Sequence, residues 1–202
     1  MPKIRRYFLS LWKLWDPLYY TFSHLKYIDD QDRKNRVFRV KLVRYKGRNV
    51  ILSDGTQINK NDLLLKIHLH NVRLLIDMAK LDGEFRKGLY IYKRIKSALP
   101  KLAKFIQDHE KTKEIKAIIG ITSLHQGSER LGFETHRITN RYYYWFKYIA
   151  QYPIHLLSTS EPFKRNGKKQ IPMYLFMSKT NLIDRYGEVS SSMDIPIKQP
   201  AR

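Results

Sequence analysis

Apolar and polar positions follow two different periods along this chain, which predicts a mixture of helices and strands. Over residues 1–28 the apolar side chains recur every three or four positions, the spacing of an amphipathic helix. Residues 37–45 are rich in β-branched and aromatic side chains, which predicts a strand. Over residues 63–70 apolar side chains alternate with polar ones, as in a strand with one buried face. A turn is expected at the Ser53-Asp54-Gly55-Thr56 sequence, and residues 49–52 are expected to pair back on the first strand.

The second half of the chain shows both periods again. Strand patterns cover residues 114–124, 133–138 and 173–178, and helical patterns cover 71–79, 89–109, 139–152 and 181–186. Pro100 should kink or split the long helix, and Pro153 should end the aromatic one. Strands and helices do not alternate strictly, so we predict an α+β fold: a single domain whose mixed, mostly antiparallel sheet has flanking helices.

The N-terminal segment has two interpretations. We predict an amphipathic helical segment, residues 1–28, packed on an α+β domain of residues 29–187, with a polar, disordered tail over 188–202. In the alternative, the segment lies on an anionic lipid surface with Trp12 and Trp15 at headgroup depth. No apolar run reaches the ~18 residues of a membrane span. We therefore expect a cytoplasmic protein, with the inner face of the membrane as a second location.

The charge of the chain indicates the class of its partners. Thirty-nine Lys and Arg residues stand against 18 Asp and Glu residues, a formal net charge of +21 over 202 residues. Such a surface attracts polyanions, whether nucleic acid, anionic lipid or a phosphate-bearing cell-wall polymer. The basic side chains expected to be exposed on the long helix and in the loop 159–171 are Lys93, Lys96, Lys104, Lys164, Arg165, Lys168 and Lys169. The chain has no Cys, which excludes disulfides, thiolate metal sites and a Cys nucleophile.

Two histidines are the strongest candidate for metal binding. His68 and His70 are two positions apart on a predicted strand, so both imidazoles share one face. Protein zinc sites normally have three or four ligands, and no third ligand is evident here. We therefore predict no metal and no cofactor.

A ligand site is predicted where two apolar strands end, because polar side chains that follow such strands emerge at the rim of a sheet. The candidates on the two strand ends are His68, His70, Asn71, Thr122 and Ser123. Arg130 follows shortly after and would hold a phosphate or carboxylate with two hydrogen bonds. In the alternative, Arg130 braces the turn over residues 127–132. No nucleophile motif or paired carboxylates indicate a catalytic residue.

Four stretches of the sequence resemble a known family. They are WDPLYYTFSHLKYI, VFRVKLVRYKGRNVILSDGTQINKNDLLLKIHLHN, IIGITSLHQGSERLGFE and YLFMSKTNLIDRYG. Together they are similar to the YkoP-like domain family of Firmicutes over roughly residues 10–187. The resemblance implies a small bacterial protein. It also implies kinship with domains fused to polysaccharide deacetylase modules, and so a role near envelope glycans. It implies no catalytic residue, because the family is uncharacterised.

From these observations we predict a non-catalytic accessory or binding module for an anionic envelope component, either a glycan polymer or a lipid headgroup. One alternative is an enzyme that acts on a glycan or activated-sugar substrate through His68 and Arg130. Another is a non-specific nucleic-acid binder, although the sequence has no helix-turn-helix, RRM, KH or zinc-finger signature.

Overall fold

A six-stranded sheet, with strand order β1-β2-β5-β6-β8-β7, is the centre of the computed structural model. The structure describes residues 26–28, 37–69, 71–78, 80–158 and 171–187. The strands are β1 Lys26–Tyr27, β2 Phe38–Arg44, β3 Val50–Ile51, β4 Gln57–Ile58, β5 Leu63–Leu69, β6 Ile115–Thr122, β7 Glu134–Arg137 and β8 Met173–Ser178. The helices are α1 Asn71–Met78, α2 Glu84–Gln107, α3 Arg141–Ser158 and α4 Lys179–Tyr186, with a 3-10 helix at Ser128–Leu131.

The pairing of the strands confirms the predicted α+β fold class. Every neighbouring pair in the large sheet is antiparallel except β5 and β6, which are parallel. Parallel neighbours need a long crossover connection, and α1 and α2 supply it here. Because β5 and β6 are parallel, their carboxyl ends lie at the same edge of the sheet.

Helix α2 covers one face of the sheet, which we call the α2 face. Leu99, Leu102 and Ile106 of this helix are fully buried among apolar side chains of the central strands. The helix begins at Glu84, earlier than predicted, and runs without a break through Pro100. The expected split is therefore wrong. Proline removes one backbone hydrogen bond, and the buried side chains on both sides of Pro100 hold the helix on the sheet.

The β3–β4 hairpin covers part of the opposite face. Leu52 and Ile58 are buried there against Leu64 and Phe176. The predicted turn is present, since the Leu52 amide donates to the Thr56 carbonyl over 3.0 Å. The predicted pairing of residues 49–52 with the first strand is wrong, because β3 pairs with β4 while β2 pairs with β1 and β5. β5 pairs with β2 along its whole length, and β1 pairs with Arg39 and Val40 on the other edge.

Other predicted boundaries also change. Helix α3 continues past Pro153 to Ser158, so Pro153 does not end it; its other helical hydrogen bonds outweigh the one that proline removes. Lys26 and Tyr27 pair with β2, so the sheet begins inside the segment 1–28 that was predicted to be helical. The rest of that segment, the loop 29–36 and the tail 188–202 lie outside the described residues. No described helix is both long and apolar enough to cross a membrane.

Candidate anion-binding site

Two cross-strand pairs of basic residues lie side by side on the face of the sheet opposite α2. In β2, Val40 packs toward α2, so the alternating positions Arg39 and Lys41 point to the other side. In β5 the same alternation turns Lys66 and His68 to that side. The register places Arg39 opposite His68 and Lys41 opposite Lys66. Side chains directly opposite each other have Cβ atoms about 4.5–5.5 Å apart, and like charges in such positions repel.

A fifth basic side chain reaches this group from helix α3. Tyr143 of α3 stacks on Tyr174 of β8, with ring centroids 6.4 Å apart and planes 20° apart. Lys147, one helical turn further, has its Nζ atom 5.3 Å from the centroid of the Tyr143 ring. Its positive charge lowers the pKa of both Lys66 and His68. We call Arg39, Lys41, Lys66, His68 and Lys147 the basic cluster.

The charged forms of Lys66, His68 and Lys147 are disfavoured in the basic cluster. Burial, followed by the charges of Lys147 and Lys41, lowers the pKa of Lys66 from 10.5 to about 8. Burial, followed by Lys66 and the other cations of the cluster, lowers the pKa of His68 from 6.5 to about 3. Burial also lowers the pKa of Lys147. At neutral pH, His68 is therefore a neutral imidazole among positive charges.

Arg39 provides a fixed charge within this group, because its side chain is only 4% exposed and a guanidinium stays protonated in proteins. Among the described residues no carboxylate forms an ion pair with Lys66 or His68. Positive charges held close together and partly desolvated attract an oxyanion and repel a metal cation. The described part of the chain also contains no group of three or more His, Asp or Glu residues that could hold a metal. The chemistry available to the basic cluster is the binding of an anion.

The predicted residues at the strand ends share an edge of the sheet but not a face. His68 and Thr122 lie near the carboxyl ends of β5 and β6, but Thr122 is on the face of Ile118, which packs toward α2, and His68 is on the opposite face, that of Leu64. The Thr122 hydroxyl accepts a hydrogen bond from the Leu124 amide over 3.0 Å and so takes part in the local turn, while Ser123 is buried. His70 lies outside the described residues, as does the side chain of Asn71, the first residue of α1.

Arg130 lies elsewhere in the fold. It is exposed on the 3-10 helix that leads into β7, and two strands, β6 and β8, separate β7 from β5. At about 4.8 Å per strand, β7 is roughly 14 Å from the strand that carries His68. The 3-10 helix packs on α4, since the Tyr186 hydroxyl donates to the Leu131 carbonyl over 3.1 Å. Binding of an anion by Arg130 stays a prediction, separate from the basic cluster.

The cavity beside Arg130 offers less to an anion than the basic cluster does. It has a volume of about 290 Å³, and its lining includes Glu129, Glu134 and Arg185. The Glu134 carboxylate already accepts hydrogen bonds from the amide and the hydroxyl of Ser53, over 2.9 and 2.7 Å. Two carboxylates in the wall disfavour a negatively charged ligand.

The predicted basic surface is described only in part. Lys93, Lys96 and Lys104 are exposed on α2, and Lys164, Arg165, Lys168 and Lys169 lie outside the described residues. Sequence reasoning did not propose Arg39, Lys41, Lys66 or Lys147 as site residues. The alternation in β2 and β5 does show that Arg39, Lys41 and Lys66 leave the core. It cannot show that they meet, because that depends on the register between strands more than 20 residues apart.

Comparison with known proteins identifies relatives of this chain. The model of the YkoP domain family matches residues 5–186. The uncharacterised protein YkoP of Bacillus subtilis strain 168 is 45% identical over 181 residues, which cover 89% of this chain and 96% of that protein. No solved structure matches. The resemblance seen in the sequence is thereby confirmed.

Proposed function

This chain belongs to the YkoP domain family, and we propose that it is a non-catalytic binding module for a phosphate-bearing component of the bacterial envelope. The proposed ligand is an oxyanion of a glycan polymer or of a lipid headgroup, held by the basic cluster. One observation carries the proposal: two adjacent cross-strand pairs, Arg39 with His68 and Lys41 with Lys66, place basic side chains opposite each other on one face.

The environment of Lys66 disfavours its charged form, and a bound anion would favour it. Cross-strand like charges destabilise a sheet, and the lowered pKa of Lys66 shows that its charged form is disfavoured here. A bound phosphate group would replace repulsion between the cations by attraction from each of them to the anion. Strongly lowered pKa values of this kind cluster at functional sites.

Each member of the basic cluster has a distinct part in the proposed site. Arg39 contributes a permanent charge, which a planar guanidinium can direct at two oxygens of a phosphate. Lys66 is still mostly protonated at pH 7, since its pKa is about 8, and contributes a compact ammonium donor. His68 is neutral and can donate one N–H group. Lys147 acts from α3, so the anion would lie between the sheet and that helix.

The wider charge of the chain supports a polymeric or surface-bound ligand. With a net charge of +21, the protein attracts any polyanion over a distance of about 8–10 Å at physiological salt. The exposed lysines of α2 and the basic loop 159–171 would make the additional, non-specific contacts. The fusion to polysaccharide deacetylase modules that the resemblance implies favours an envelope ligand over nucleic acid. We place this function in the cytoplasm, at the inner face of the membrane.

Calorimetric titration with inorganic phosphate and with glycerol 3-phosphate tests the site directly. A hydrogen-bonded charge contributes about 1.5–3 kcal/mol, so Lys66→Met should weaken binding of both by tenfold or more. Lys113→Met is the matched control, because Lys113 is an exposed lysine in the turn before β6. Equal affinities of Lys66→Met and the wild type would refute the assignment of the basic cluster.

A competition experiment separates the envelope ligand from the alternatives. A glycerol phosphate polymer and duplex DNA, at equal phosphate concentration, compete with labelled glycerol 3-phosphate for the protein. We expect the polymer to displace the glycerol 3-phosphate at lower concentration. Preference for DNA would support the nucleic-acid alternative, and His68-dependent turnover of an activated sugar would support the enzyme.

A further inference from the structure

Helix α3 presents an aromatic and apolar stripe to solvent. Tyr142, Trp145, Phe146 and Ile149 are 88, 52, 63 and 68% exposed. Their spacing of three and four residues puts them on one side of the helix. In a helix of a globular protein the apolar stripe normally faces the core. Here Tyr143, which stacks on Tyr174 of the sheet, is on the inward side, and these four side chains are exposed.

The charge around this stripe restricts what can cover it. From residue 135 to residue 160 the sequence contains no Asp or Glu, while it contains Arg137, Arg141 and Lys147. A positively charged helix with an apolar outer face is complementary to a surface that is both apolar and negatively charged. An anionic phospholipid bilayer has these two properties, and Trp and Tyr side chains favour its headgroup region.

Two alternative occupants of the stripe, the first 15 residues and a second copy of the chain, are positively charged like the stripe's surroundings. The first 15 residues of the chain are amphipathic but contain Lys3, Arg5, Arg6 and Lys13 and no acidic residue. Packed along α3, they would add positive charge to positive charge. A second copy of the chain would bring another net charge of +21 to the interface. Both contacts are electrostatically unfavourable, and the contact with an anionic bilayer is favourable.

We propose that the stripe formed by Tyr142, Trp145, Phe146 and Ile149 docks the protein on an anionic phospholipid bilayer. Helix α3 lies in the plane of the interface with these side chains among the headgroups and upper acyl chains. This inference does not require the phosphate site of the basic cluster, whose residues on the sheet lie on the inward side of α3. The two proposals can therefore fail independently.

Sedimentation with vesicles tests the docking. The full-length chain should bind vesicles of equal parts phosphatidylglycerol and phosphatidylcholine, and should bind pure phosphatidylcholine much more weakly. The double variant Phe146→Ser, Ile149→Ser removes the centre of the stripe and should lower vesicle affinity about tenfold or more. The control is Phe85→Ser with Ile51→Ser, two side chains 81 and 67% exposed elsewhere on the surface. Equal loss in the two double variants would overturn the inference.

Tryptophan fluorescence tests whether the stripe is covered by lipid or by protein. The chain has three tryptophans, so Trp12→Phe with Trp15→Phe leaves Trp145 as the only one. Acrylamide should quench Trp145 freely in solution, and brominated lipids should quench it after vesicles are added. Protection from acrylamide before vesicles are added would show that another segment or a second copy covers the stripe, and would overturn the inference.

A variant of the basic cluster distinguishes failure of the docking from failure of the proposed function. Lys66→Met should leave vesicle binding through α3 within about twofold of the wild type, while it weakens phosphate binding tenfold or more. Vesicle binding that is lost in Lys66→Met and kept in Phe146→Ser, Ile149→Ser would overturn the docking by α3 and leave the proposed function intact. Phosphate binding that is equal in Lys66→Met and the wild type, together with normal docking through α3, would overturn the proposed function and leave the docking intact.

Discussion

Removal of one charge from the basic cluster should stabilise the protein in the absence of phosphate. Lys66→Met keeps an unbranched side chain of similar length and removes the ammonium group. A pKa lowered from 10.5 to about 8 corresponds to roughly 3 kcal/mol, because one pKa unit is equivalent to about 1.4 kcal/mol. Lys66 is only half-buried, so solvent screening reduces this figure. We expect Lys66→Met to raise the free energy of unfolding by ~1–2 kcal/mol at pH 7 in chloride buffer.

The pH dependence of this difference identifies its cause. Below about pH 8, Lys66 is protonated in both the folded and the unfolded chain, and the folded state bears the full cost of burying this charge and of its repulsion by Lys147 and Lys41. Between pH 8 and 10.5 the unfolded chain retains a proton that the folded chain has released, so the stability of the wild type rises relative to the variant. Above that range the advantage of Lys66→Met should disappear. Urea unfolding at pH 7, 8.5 and 10 measures the difference in unfolding free energy between Lys66→Met and the wild type, with Lys113→Met as the control.

Phosphate should remove most of the advantage of Lys66→Met. A ligand at a hundred times its dissociation constant stabilises the folded state by about 2.7 kcal/mol, and a ligand bound tenfold more weakly at the same concentration by about 1.4 kcal/mol. The wild type should therefore gain about 1.3 kcal/mol more than Lys66→Met. An advantage of Lys66→Met that persists at pH 10, or a phosphate effect equal in the two proteins, would refute the assignment of repulsion and anion binding to this residue.

Three further predictions concern two residues that stabilise the fold, Gly47 and Ser178, and the histidine of the basic cluster, His68. Gly47→Ala should lower the free energy of unfolding by about 1–3 kcal/mol, because a Cβ atom there would overlap the Tyr45 ring; chemical unfolding measures this, and an unchanged midpoint would contradict it. Ser178→Ala should cost about 1–2 kcal/mol in the same assay, since the hydroxyl caps α4 and donates to Asp54; retention of full stability would be evidence against this link. NMR titration should show that His68 remains neutral well below pH 6.5 and that phosphate raises its pKa from about 3; an imidazole insensitive to phosphate would indicate that no anion binds beside it.

Local patterns in the sequence determined most of the elements and their buried faces. Leu65 and Ile67 point into the core and Lys66 and His68 away from it, as their alternation predicted. This succeeds because the direction of a side chain depends on the backbone period of its own element. The turn at Gly55, with its φ angle of 82°, was predictable for the same reason, since glycine adopts this conformation without a steric penalty.

The elements that were misassigned are those in which tertiary contacts override local preference. Pro100 and Pro153 remain inside helices. For α2, burial of Leu99 and Leu102 on the sheet exceeds the loss of one hydrogen bond. Val50 and Ile51 pair with β4 instead of β2, and in this hairpin Leu52 and Ile58 pack against Leu64 and Phe176 of the sheet. Competition among strands for the same partner is decided by the whole sheet and not by the turn alone.

The candidate site itself was decided by the tertiary structure. The net charge of the chain was sufficient to predict an anionic partner, because total charge needs only the composition. The sequence could not show that Arg39 lies opposite His68 or that Lys147 approaches them from α3. These contacts join residues 29 and 79 positions apart in the sequence, and their geometry depends on strand register and helix packing. Both are set by the burial of apolar side chains on the other faces of the same elements, and the basic cluster is the consequence on this face.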